Sequence, residues 1–212
     1  MEVTQVVIRE AVVKILVSIL FFSVTAVGQS SVSLKYVGLT IHPFGDETAF
    51  LQPYKLDKNA VFVANFGGVV MYEKFIWRDK LSVQALQAVF ADCSFSLAGI
   101  SSISLKGVFF DKNKHQFQLG LGPVFMIRND WNRFENYTSS GTLDTHYSKL
   151  FGRVQQKFFP LGVEIVYNYA INEKVDFSTS MTPGIPAIFN FVVGFRYWIS
   201  KDFNKPNVYP KL

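Results

Sequence analysis

A chain of 212 residues is sized for one domain. It is 49% hydrophobic and 16% aromatic but only 17% charged, against about 25% charged in a soluble domain, which argues against a surface covered by water alone. The net charge of +5 is mild and comes without a Lys/Arg cluster, so no nucleic-acid partner is implied.

The first segment reads as a signal peptide. Arg9 and Lys14 precede an apolar run from Ile15 to Val27, and Ala26 and Gly28 occupy the small-residue positions of a signal-peptidase site. Cleavage is expected before Gln29. At about 13 residues the run is shorter than the roughly 20 that a spanning helix needs. No Cys lies near the cut, so no lipoprotein anchor is expected. The chain then divides into a signal peptide (1–28), a barrel (29–200) and a periplasmic tail (201–212).

Beyond the cut no apolar run of spanning length remains. A charge-poor exported chain can still cross a membrane as a closed barrel, the other fold that satisfies every backbone group in lipid. Eight strands are expected at about 31–42, 60–76, 81–93, 97–111, 115–131, 158–171, 175–183 and 188–200. The fifth shows the pattern best. Phe117, Leu119, Leu121, Phe125 and Ile127 share one face, and Gln116, Gln118, Gly120, Gly122 and Arg128 the other. Phe159 to Ile171 alternates likewise, with Glu164 and Asn168 on the polar face. The last strand sets Phe189, Phe191, Phe195 and Tyr197 against Asn190, Gly194 and Arg196. Faces this rich in Phe and Tyr suit a lipid-facing wall.

The fold class is therefore all-β, an eight-stranded antiparallel transmembrane β-barrel of the outer membrane. Arg78-Asp79-Lys80, Lys112-Asn113-Lys114 and Asn172-Glu173-Lys174 are tight turns on the periplasmic side. The long connections, roughly 43–59 and 132–157, are extracellular. Eight strands enclose room for side chains or one slender ligand. Glu73, Arg128, Glu164, Asp176 and Arg196 face the lumen, as an ion-pair plug or beneath a pocket for one acyl chain. Strands one and four alternate too poorly for their faces to be assigned.

Three side chains at the outer rim could support acyl transfer. Cys93 is the one cysteine, Asp92 precedes it, and His42 ends the first strand. A nucleophile, its base and an orienting group are the parts such chemistry needs, although strands one and three lie about 10 Å apart. A buried Cys is as readily a packing residue. Pro160 and Pro183 near the outer ends of strands six and seven remove ladder donors from a wall that has no edge. They mark either strand ends or a lateral gate for a lipid tail.

The order of several segments resembles the lipid A palmitoyltransferases of the Gram-negative outer membrane, the PagP family, over most of the mature chain. They are Ile41-His42, Phe66-Gly-Gly68, Phe90-Ala-Asp-Cys93, Gln118-Leu-Gly-Leu-Gly122 running into Arg128-Asn-Asp-Trp131, and Thr182-Pro-Gly184. The resemblance implies transfer of an acyl chain from an outer-membrane phospholipid to lipid A. It puts the catalytic His on His42 and the Asp on Asp92, with Cys93 in the place of the family's Ser. Phospholipid and lipopolysaccharide would be the partners, and the protein would work as a monomer without a cofactor. The alternative is a non-catalytic small barrel that stabilises the membrane or binds at its surface. A His-x-Ser triplet, His146-Tyr147-Ser148, also resembles the lipid A deacylase barrels but falls mid-loop, and is read as chance.

Overall fold

The computed structural model describes residues 28–135, 147–184 and 188–200. The expected signal peptide up to Val27, His146 and the tail from 201 to 212 lie outside the described residues. The strands are β1 (Ser30–Ile41), β2 (Phe62–Ala64), β3 (Phe66–Trp77), β4 (Leu81–Ala91) and β5 (Leu97–Lys112). They continue as β6 (His115–Asn129), β7 (Ser148–Phe151), β8 (Val154–Ala170), β9 (Val175–Gly184) and β10 (Ile188–Ser200). All pairings are antiparallel, and β10 returns to β1 from Ser30↔Ser200 to Ile41↔Phe189, which closes the sheet.

Two of the ten are not staves of the barrel. β2 carries the line of β3 upward past Asn65 and pairs with the outer end of β1. β7 folds back on the outer end of β8. Eight staves remain, as the alternation predicts. The break between β2 and β3 splits the expected second strand at Asn65, whose amide donates to the Thr40 hydroxyl inside the barrel. β8 starts earlier than expected, at Val154, and pairs with β6 as far as Asn129. Its added residues include Gln155 and Lys157, which break the apolar alternation that would have revealed them.

The two faces of the wall differ sharply. Leu34, Val70, Ile103, Leu105, Leu121, Phe195 and Tyr197 point outward and are exposed. In water that surface would carry a large penalty, and in lipid it is the matching solvent. Phe117 is only half-buried because it packs among Phe109, Phe110 and Tyr167, the inner-side aromatic girdle. Phe191 is half-buried as well.

The lower lumen is filled. Phe75, Val108 and Trp198 form its floor. Above them Glu73, Glu164 and Asp176 face Lys35, Lys106 and Arg196, all buried, so the charges balance. Arg196 pairs with Asp176 at 2.6 Å and with Glu73 at 3.5 Å. Lys106 donates to Gln84 (2.8 Å), which donates to Glu164 (2.9 Å). Ser82 and Gln118 complete Glu73, and Lys35 reaches Ser180. Each of these six charged groups meets at least one hydrogen-bond or ion-pair partner, which is the condition for keeping charge in a low dielectric. Lys35 and Lys106 stand on the two poorly alternating strands, whose pattern assigns no face to either.

Higher up the inward residues turn apolar. Val37, Val69, Met71 and Ala88 form a cluster against Leu86, Phe90, Ile100 and Val192. Gly122 also points inward here, where a Cβ would sit 2.1 Å from the Ile103 carbonyl oxygen of β5. Only glycine permits so close a backbone approach.

Candidate functional site

Above the apolar cluster the lumen opens into a cavity of about 290 Å³ at the end of the barrel carrying the long connections. A smaller apolar space of about 90 Å³ continues it downward to Glu164. Phe90, Ile100, Val124 and Gly162 line both. The mouth is polar: His42, Asp46, Asp92, Cys93, Arg128 and Lys157 surround it.

The chain builds that mouth from short turns. After β1, Gly45 adopts a left-handed φ of +74° and its N–H bonds the His42 carbonyl, a conformation that favours glycine. The reversal carries Asp46 back to His42, with Nδ1 and Oδ2 3.3 Å apart. Asp46 also accepts from the Thr48 N–H and hydroxyl and from Gln52. A second turn joins β4 to β5. There Asp92 accepts from the Ser94 and Ser96 N–H groups and the Ser94 hydroxyl, and its other oxygen takes the Trp131 indole N–H at 2.7 Å. The Arg128 guanidinium lies against both the Trp131 and Tyr147 rings, with centroids 4.3 and 3.8 Å away.

Two of the three expected site residues meet. Cys93 Sγ lies 3.7 Å from His42 Nε2, closer than the strand spacing implied, because both turns curl over the mouth. Asp92 does not join them. Its oxygens are engaged in holding a turn and fixing Trp131, and the carboxylate on His42 is Asp46. The four-residue spacing from His42 to Asp46 was the signal that could have found it.

The electrostatics oppose a thiolate. Burial, then the charges of Asp92 and Asp46, push the Cys93 thiol up from 9.0 to about 12. Burial also holds His42 below its ordinary value, with Asp46 pulling the other way. At neutral pH the pair is thus a thiol against a neutral imidazole. Since the thiolate is the reactive form, iodoacetamide should alkylate Cys93 in the folded protein more than about tenfold slower than in the unfolded chain. Equal rates measured by mass spectrometry would show the thiol exposed and ionised.

The prolines occupy different seams. Pro160 stands in a bulge of β8: Gly122↔Gly162 is followed by Val124↔Phe159, so Pro160 and Leu161 oppose Pro123 alone. Pro183 pairs with Phe189 of β10. The described β8–β9 ladder runs from Ala170↔Asp176 to Ile165↔Met181, below both prolines, so they do not face each other across it. Leu161, Gly162, Thr182 and Pro183 border the cavity just above the last rung.

No protein-family model matches the chain, and no curated protein matches it. Among solved structures, the attachment invasion locus protein Ail of Yersinia pestis is similar at 15% identity and a TM-score of 0.46, covering 81% of this chain and 98% of that one. Neisserial surface protein A is similar at 11% identity and a TM-score of 0.42, over 80% and 95% of the two chains. The N-terminal β-barrel domain of Pseudomonas aeruginosa OprF stands at 11% and 0.43, over 81% and 98%. These are small outer-membrane barrels and not palmitoyltransferases. The resemblance to that family, and with it the expected acyltransferase activity, is therefore corrected: no comparison supports it. The site agrees, since the expected His42–Asp92–Cys93 relay lacks its Asp92 link.

Proposed function

We propose that this protein is a non-catalytic outer-membrane barrel that holds one apolar chain of an outer-leaflet lipid in its upper interior. The observation that carries the reading is the cavity of about 290 Å³ standing over a filled, charge-balanced lower lumen. An apolar space continuing below a polar mouth suits an amphipathic molecule: the chain is buried and the head stays at the rim. Arg128 and Lys157 offer charge to a phosphate, and Asp46 and Asp92 keep their oxygens occupied by protein donors. Cys93 and His42 then serve as uncharged lining. The surroundings supply the ligand, because phospholipid and lipopolysaccharide are the amphiphiles of that membrane.

The experiment is native mass spectrometry on the barrel incubated with a lysophospholipid. One bound molecule is expected, and Ala88→Phe, which places a ring among the apolar lining, should remove it while the barrel still runs at its folded position on unboiled gels. Equal binding by the variant would move the ligand elsewhere on the protein. The seam above Ile165 and Met181 is the proposed route of access. A verified disulfide joining β8 to β9 above that rung should slow loading by membrane lipid, and reduction should restore it. Unchanged loading in the oxidised protein would assign access to the open mouth.

A further inference from the structure

The apolar outer surface does not end where β4 ends. Beyond Ala91 the sheet continues in other hands: the Leu56 N–H bonds the Phe62 carbonyl at 2.8 Å, the Ala64 N–H bonds the Tyr54 carbonyl at 3.0 Å, and Lys55 bridges Val63. Residues 54–64 thus form a hairpin whose first arm adds to β2 on the side where β4 adds to β3. Asp57 fixes its turn, accepting from the N–H groups of Asn59, Val61 and Phe62.

The hairpin presents its apolar side chains outward. Leu56 is 66% exposed, and Tyr54 and Phe62 are exposed as well. The Tyr54 ring meets Phe66 edge-on at 5.1 Å and Phe95 at 4.8 Å. Phe66 shares its strand face with Val70 and belongs to the outward wall. The aromatic cluster therefore joins the lipid-facing belt without a polar break, and Leu97, also exposed, extends it along β5.

We propose that this hairpin is a lipid-contacting extension of the barrel wall, with Tyr54, Leu56, Phe62, Phe66 and Phe95 covered by the outer leaflet. Continuity with the belt argues for lipid as the occupant: a leaflet that wets Val70 and Leu97 reaches the next ring up. The chemistry fits the interface level, where aromatic rings are enriched. Lys58 is exposed on the turn of the same hairpin, where anionic head groups would meet it.

Spin labels at Leu56→Cys and Phe62→Cys, in a Cys93→Ser background reconstituted into bilayers, test it by collision with oxygen and with a water-soluble nickel chelate. The expected result is the lipid signature also given by Leu121→Cys, with oxygen collisions exceeding chelate collisions. Lys58→Cys, on the turn, should give the reverse. Chelate access at Leu56 and Phe62 equal to that at Lys58 would show an aqueous loop and overturn the proposal. Low access to both reagents would show a protein partner there and overturn it equally. Unboiled gels confirm that each labelled variant is folded.

Discussion

Glu164→Ala is expected to lower the stability of the folded barrel by about 3–5 kcal/mol, the cost of leaving a buried charge without its counterion. Lys106 lies 3.9 Å from Glu164 and shares Gln84 with it, and all three side chains are buried. Removing the carboxylate leaves the buried ammonium without that counterion. The loss should be largely recovered by combining Glu164→Leu with Lys106→Met. That pair removes one charge of each sign and leaves Lys35 and Arg196 against Glu73 and Asp176. Urea titrations in phospholipid vesicles give both numbers. A single variant as stable as the parent would mean that water, not protein, solvates these charges.

Leu121→Arg should be nearly as damaging, for the opposite reason. Leu121 lies mid-strand on the outward face of β6 and is 43% exposed, so an arginine there meets hydrocarbon. The cost at mid-bilayer is about 2–4 kcal/mol and falls to about 0–1 near the interfaces. Phe158→Arg, also outward but near the outer end of β8, should therefore be tolerated. Similar losses at both sites would place the bilayer higher on the barrel than the exposed belt indicates.

The wall was legible in the sequence because lipid selects side chains with a period of two. That pattern survives in Phe117 to Ile127 and in Phe189 to Tyr197, whatever the loops do. The plug was half legible: Glu73, Glu164, Asp176 and Arg196 stand on alternating strands and could be assigned inward, while Arg128, assigned with them, stands instead at the cavity mouth. Lys35 and Lys106 could not, since their neighbours do not alternate cleanly. The rim was least legible. Asp46 reaches His42 through a glycine turn, and Asp92 is occupied by Trp131, 39 residues away along the chain. Adjacency to Cys93 made Asp92 look like part of a relay. Its partners are set by how two turns fold, which no spacing records.

The closing seam has a consequence for how the molecule comes into being. Ser30 and Ser200 bond through their hydroxyls across 170 positions of sequence, and the full lengths of β1 and β10 meet. Every other wall contact forms between strands near in sequence, so the last ladder must wait for the last strand. Until then two open edges face the membrane, where an unsatisfied peptide group costs several kcal/mol. A chain cut before Ile188 would lack the partner of β1 and could not become a smaller version of the same barrel. It would be a sheet with two edges left open to the membrane.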